Sequence, residues 1–453
     1  MCNEDESSPT ITNCTFSGNI AEGEMATGGG MGNYSSSPIL TNCTFSGNSA
    51  SYEGGGIYNY SSSTNITNCT FVGNSAYESG GAVYIGGIST STLTTNCIFI
   101  CNSTEYSGGA VVIGHCNPTL INCAFRNNKT KSRGGGIFCY SGASPTIINC
   151  EFIGNVAQGY GGGMHNAVSS SPTLMNCTFT GNLANNSGGG IWNRGNCNPK
   201  LTDCIIWGNE AREGPEIAVV EVWDGSNPSI VTVSYSDVQG GEQDVYIGPG
   251  CALIWGGGNI DADPCFAKLG YWGDRDDPNI VVEPNDPNAV WVYGDYHLLP
   301  GSPCIDSGDP NYIAEPNEKD LDGKPRIIGG RIDMGAYEYM PSILAEARII
   351  PSTINLASKG KWIMCYIRLP EDYNVADINP NSVFLESEIQ AQSFYIEEQK
   401  QVAIAKFRRE ELRGILSIGN VELTITGQLI NEKVFEGKDI IRIIDKGGKK
   451  MAR

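Results

Sequence analysis

Histidine is nearly missing from this chain: His115, His165 and His297 are the only three in 453 residues. An imidazole-based metal site or a Ser-His-Asp triad has almost no material to draw on. Charge is sparse as well, at 17% against the roughly 25% of an average globular domain. Acids outnumber bases by 49 to 29, for a net charge of −20, so the basic face that phosphate recognition needs is lacking and nucleic acid is excluded as a partner. No run of about 18 apolar residues occurs, so no transmembrane helix is encoded. Segments rich in Ala, Leu, Glu and Lys are missing too. At this length the chain must divide into domains or elongate as a repeat.

What is abundant is Gly (58), with 22 Pro and 17 Cys. Eight cysteines recur at Cys14, Cys43, Cys69, Cys97, Cys123, Cys150, Cys177 and Cys204, at intervals of 29, 26, 28, 26, 27, 27 and 27 residues. Seven follow Asn, and the eighth follows Asp203. Two residues after each comes Phe16, Phe45, Phe71, Phe99, Phe125, Phe152, Phe179 or Ile206. Three further on comes Asn, from Asn19 and Asn48 to Asn209. A glycine run ending in an aliphatic residue, such as Gly54-Gly55-Gly56-Ile57, marks seven of the eight units; the last reads Gly214-Pro215-Glu216-Ile217. This period points to a solenoid, propeller or array. The unit has no helical periodicity and is too short for a propeller blade, which needs about 40–45 residues. It suits one coil of a right-handed parallel β-helix with three short strands, coils stacking about 4.8 Å apart. Ile11, Cys14 and Phe16 are expected to point inward, with Asn13 and Asn19 at left-handed bends. Buried Asn amides would hydrogen-bond along their own ladder.

These units carry a resemblance. FSGN, FVGN, FIGN and FTGN, with GGGI, GGGM and GGAV, resemble the paired FxxN and GGA-aliphatic motifs of the chlamydial polymorphic-membrane-protein repeat, over roughly residues 8–210. That resemblance implies a β-helix on a surface protein. The segments 295–310 (DYHLLPGSPCIDSGDP) and 320–339 (DLDGKPRIIGGRIDMGAYEY) resemble the closing stretch of the choice-of-anchor Q family. The likeness implies that residues 211–342 continue the solenoid through longer loops and cap its end. Residues 343–453 contain short alternating strands, among them KWIMCYIRL, QVAIAKF and VELTITGQL, which suggest an immunoglobulin-like β-sandwich. The expected fold is thus all-β, with regular coils over 1–210, an irregular acidic continuation over 211–342 and a small sandwich over 343–453. The three differ in charge, at −5, −16 and +1.

Cysteines at one ladder position have parallel Cβ vectors, a poor geometry for bridging, so a column of free thiols is expected. Off the ladder, Cys265 and Cys304 are the first pair to test for a disulfide. Asn-Cys-Thr matches the glycosylation acceptor pattern but falls at inward or bend positions. Met1 runs straight into polar sequence with no signal peptide, so an extracellular or cell-surface placement rests on resemblance and composition.

Two groups of residues are candidate ligand contacts. The residue two after each glycine run should face outward, a column reading Gly32, Tyr58, Tyr84, Val112, Phe138, His165 and Trp192. Its aromatic members could stack on sugar rings, or simply stabilise the sheet through cross-strand pairs. On the loops before the glycines lie Tyr52, Glu53, Tyr77, Glu78, Glu105, Tyr106, Lys131, Arg133 and Tyr160, suited to glycan contact or to plain solvation. Asp320 and Asp322 form half of a calcium-loop pattern without its downstream Glu, so they are weak candidate Ca²⁺ ligands, and no cofactor is required. The leading reading is a non-catalytic surface or secreted protein in adhesion or glycan binding. The alternatives are a pectate-type polysaccharide lyase and a purely structural stalk, since a fold alone does not license an activity.

Overall fold

The computed structural model describes the chain except residues 5, 89–90, 222–227, 285, 287, 356–359, 387, 412–417, 431–432 and 445–453. It falls into two compact units, Met1–Tyr339 and Met340–Arg453.

The first unit is a parallel solenoid. A representative coil runs Ile57–Tyr60, Asn65–Thr67, Thr70–Val72 and Ser75–Ala76, contributing one strand to each of four sheets, here numbered I to IV. Sheets I and II are ten strands deep, sheet III nine and sheet IV seven, and neighbouring strands come from successive coils. The fourth, two-residue strand is one more than the three per coil expected.

Because the register is strict, like stacks on like. Phe71 pairs with Phe45 on one side and Phe99 on the other. The Phe16-to-Phe179 stack has ring centroids 4.3 to 5.0 Å apart and nearly parallel planes. The cysteine column from Cys43 to Cys204 is buried beside it, and Cys14, on the first coil, is exposed. All 17 cysteines are free thiols. Cys265 and Cys304 do not bridge: the Cys304 thiol is buried and donates to Asp237 Oδ2 at 3.2 Å, whereas Cys265 donates to its own turn at the Asp263 carbonyl.

The Asn column is a continuous hydrogen-bonded ladder. Asn74 Nδ2 donates to Asn102 Oδ1 at 3.0 Å and to the Phe45 carbonyl at 2.9 Å, and the Asn74 backbone N–H also donates to Asn102 Oδ1. The pattern recurs through Asn209, so fully buried amides stay satisfied. Asn13 does take a left-handed bend (φ 56°), but the ladder asparagines do not: the bend before them is taken mostly by the preceding glycine, such as Gly18 or Gly47. The odd final unit now has a reason. Glu216 replaces a glycine, and its two carboxyl oxygens accept from Asn209 N (3.1 Å) and Nδ2 (2.5 Å), where the ladder ends. Burial pushes the Glu216 carboxyl up to about 8.

The glycine runs mark a corner where coils nearly touch. Gly54 has φ +69°, and a Cβ on Gly55 would lie 2.3 Å from the Ser75 carbonyl oxygen, so neither position accepts a side chain.

Coils persist beyond residue 210 through Ile230–Ser234, Asp237–Val238, Tyr246–Ile247 and Ala252–Trp255. Residues 264–339 then do something other than cap the end. They fold back as a strap along the outer face of sheet III, over the later coils. Two antiparallel pairings, Phe266–Lys268 with Asp295–Leu298 and Tyr271–Asp274 with Ala289–Val292, supply Phe266, Trp272, Trp291, Tyr296 and Leu298 to a core shared with outward-facing Ile153 and Ile205. Trp291 fills the space over Gly154 and Gly181, where any Cβ would lie 2.4 Å from its ring side. Asn127 Nδ2 donates to the Trp291 carbonyl, and the Tyr337 hydroxyl to Glu151 Oε2 at 2.8 Å. The buried Glu151 also forms an ion pair with Arg126. The strap seats on the flank against its apolar side chains and glycine notches.

In the second unit, ten described strands form a mainly antiparallel six-stranded sheet and an antiparallel four-stranded sheet. Alternate residues such as Ile363, Cys365, Ile367, Ala405 and Phe407 bury one face of the four-stranded sheet in a common core with Leu423, Ile425 and Phe435.

Candidate functional site

On each sheet I strand Ile57-Tyr58-Asn59-Tyr60 and its equivalents, alternation sends Ile57 and Asn59 inward and the tyrosines outward. The outer face is therefore aromatic, but the column is not the open platform expected. Tyr84, His165 and Trp192 keep only 6%, 1% and 4% of their surface, while Tyr58 and Phe138 are half-buried. The rings cover one another. Tyr58 stacks on Tyr84 at 5.0 Å, and the Tyr84 hydroxyl reaches Tyr140 two coils away at 2.7 Å. His165 meets Phe138 edge-on at 5.0 Å and Trp192 at 4.2 Å, and Tyr160 stacks on Trp192 at 4.5 Å. A second outward column, with Tyr34, Tyr60 and Tyr140, completes the layer. Tyr60, 48% exposed, shows most of its ring to solvent.

The loop residues flank this layer in part. Glu53, Arg133 and Tyr160 share one bridge ladder that runs on to Ser187 and Glu213, which brings them beside the aromatic face. Burial first, and the Glu78 charge second, push the Glu53 carboxyl up to about 7. The Glu78 backbone N–H donates to the Tyr52 carbonyl at 2.8 Å. Glu105 and Lys131 stand further out, paired with each other at 2.8 Å and well exposed.

The layer ends in a pocket of about 470 Å³. Trp192 and Tyr160 form its aromatic wall, and Arg194, Arg212, Glu213, Glu221 and Tyr246 supply the polar side. Arg194 lies over the Trp192 ring at 6.0 Å. Burial, then the charges of Arg133 and Arg194, drive the His165 pKa well down, so it is a neutral imidazole packed within the aromatic layer. In the wall of this pocket the buried Trp192 Nε1 has no hydrogen-bond partner among the described residues. Unspent buried groups in a concave aromatic site are what a polar ligand satisfies. Sequence reasoning missed Arg194, although it lies two residues from Trp192 on one strand and alternation places it on the same face. Arg212, Glu221 and Tyr246 fall where the period lapses, and no sequence signal assembled them.

Asp320 and Asp322 lie elsewhere, at the strap. Asp320 is fully buried and accepts from the backbone N–H groups of Asp322, Lys324 and Glu338 at 2.7 to 3.0 Å. Asp322 Oδ2 is held by His297 Nε2 at 2.6 Å and Lys324 Nζ at 3.1 Å. His297 Nδ1 contacts Asp295 at 2.5 Å, and the two carboxylates raise the His297 pKa to about 9. The turn spends these carboxylates on protein donors. Among the described residues no group of three or more His, Cys, Asp or Glu converges as a metal centre. No described helix is long and apolar enough to cross a membrane.

Parallel coils, a glycine corner and an aromatic outer sheet define a β-solenoid with a surface pocket. The family model for the right-handed β-helix region matches residues 1–125 and, overlapping, 55–263, and the chain belongs to that family. No curated protein and no solved structure matches the chain.

Proposed function

We propose that the protein is a non-catalytic glycan-binding protein, secreted or held at a cell surface, that takes up sugar units along sheet I and in the pocket at its end. The observation that carries this reading is the pocket itself: a Tyr160–Trp192 wall, two arginines and two glutamates, and the unsatisfied Trp192 Nε1. Sugars offer an apolar ring face for stacking and hydroxyls for such donors and acceptors. Tyr58, Tyr60, Phe138 and Tyr140 present further ring surface, with Tyr84, His165 and Trp192 as the buried layer that holds them. Tyr52, Glu53, Glu78, Glu105, Lys131 and Arg133 form the polar margin. The FxxN and GGA-aliphatic units, like those of surface repeat proteins, and the likeness of 295–339 to the choice-of-anchor Q closing stretch support placement outside the cell.

The test is a glycan panel titrated against the full chain and its Tyr160→Ala variant. Binding that weakens by about tenfold or more in the variant, the share of one stacked ring, supports the reading, and equal binding by both removes it. Incubation with uronate polymers separates the lyase alternative, in which unsaturated, ultraviolet-absorbing products accumulate. A protein that neither binds nor cleaves is a stalk.

A further inference from the structure

The four-stranded sheet of the second unit buries one face and leaves the other partly exposed. On Glu346–Ile350, Trp362–Arg368, Val402–Arg408 and Ser393–Glu397, alternation buries Ile349, Ile363, Ile367, Ala403 and Phe407 and turns their neighbours outward. Register places those neighbours in rows. Arg348 lies opposite Tyr366, Tyr366 opposite Ile404, and Ile404 opposite Tyr395; Trp362 lies opposite Arg408. Trp362 and Tyr395 are 47% and 52% exposed.

Each of the three rings has a cation next to it. Tyr366 has Arg348 across the strand pair, Trp362 has Arg408, and Lys406 Nζ sits 4.8 Å from the Tyr395 ring centroid. At the edge of this face Tyr366, Arg348 and Arg368 line a cavity of about 670 Å³, with Lys438, Glu346 and Asp439 also in its wall, so its cations outnumber its acids by three to two. Rings alternating with cations on one sheet face match a polymer whose units present an apolar ring face and a carboxylate. The charge is local: the whole chain carries −20, so a polyanion gains nothing from the molecule's overall field and must be held by this face.

We propose that this outer sheet face is a second binding site, one for acidic polysaccharide. Its occupant is a uronate-type chain, the rings stacking on Trp362, Tyr366 and Tyr395 and the carboxylates meeting Arg348, Lys406 and Arg408. It is independent of the sheet I pocket and survives if that reading fails.

The test titrates the full chain with polygalacturonate and, as a neutral control, dextran, at low and high salt. The expected result is polygalacturonate binding that weakens with salt, with no comparable dextran binding. Tyr395→Ala and Lys406→Glu should each weaken it by about tenfold or more, as loss of a stacked ring or a charged contact does. All substituted residues are on the surface, and an unchanged thermal midpoint confirms folding. The proposal is overturned by wild-type protein that does not bind polygalacturonate, by variants that bind as wild type, or by equal dextran binding. Sedimentation showing a dimer that Tyr395→Ala dissolves, without polymer binding, would assign the face to a second copy instead and overturn it likewise.

Discussion

Two outer faces of the same solenoid have met different fates. Sheet III, built on the Thr-Phe-Ser type strand, is covered over its later coils by the strap; sheet I, after the glycine corner, is left to its own aromatic side chains. The backbone is the same in both. What differs is relief. Sheet III offers glycine notches at Gly154 and Gly181 and apolar knobs at Ile153 and Ile205, a surface that a tryptophan can key into. Sheet I is filled by rings that already pack on one another, so it needs no cover to lower its apolar exposure and stays available to a ligand. An apolar face can therefore be protected either by more chain or by its own stacking, and only the second leaves a binding surface.

The sharpest way to break the contrast is Trp291→Ala, which should empty the notch and cost about 3–5 kcal/mol, as large-to-small changes of buried aromatics do. Urea unfolding would read it, and hydrogen exchange should show Ala289–Val292 losing protection while sheet I keeps its own. Next comes Arg126→Ala. It leaves the wholly buried Glu151 carboxylate with Tyr337 as its remaining polar partner and should cost about 3 kcal/mol, where Glu151→Gln costs less.

Raising the pH should loosen the strap. The His297 pKa is raised from 6.5 to about 9 by Asp295 and Asp322, so its contribution is complete below 6.5 and lost as pH rises through 9. Burial raises Asp203, Asp237 and Asp333 to about 6, 7 and 6, which acts in the same direction at lower pH. A thermal midpoint that falls from pH 5 to 9.5, with the upper part of the fall lost in His297→Asn, is the expected outcome; a rise contradicts it. Smallest of all, Tyr58→Ala on the half-exposed layer should cost under about 1 kcal/mol. A loss comparable to Trp291→Ala would show that the sheet I layer is core and not surface.

Legibility in the sequence follows the same division. The ladders were readable because each coil repeats one local arrangement: Phe71, Asn74 and Cys69 stack on their equivalents, so a spacing is already a contact. Outward facing was readable too, but not exposure. The side chains of Tyr84 and Tyr140 bend across coils to meet, and His165 and Trp192 vanish beneath neighbours, which no alternation pattern records. The bonding of Asp320 and Asp322 was not legible, because their partners, His297 and Glu338 among them, lie on other parts of the strap.

Periodicity alone thus settled the class of fold, the coil length, the Phe, Cys and Asn columns and the place of the tight glycine corner, because hydrogen bonds and stacking between adjacent coils are short-range events repeated once per turn. The strap over sheet III, the terminating role of Glu216 and the pocket joining Trp192 to Arg212 and Tyr246 were decided only in the folded molecule. Asn127 finds the Trp291 carbonyl 164 residues away. Such a contact has no period, and its partner is chosen by the shape and unspent polar groups of a surface that exists only once the coils have stacked.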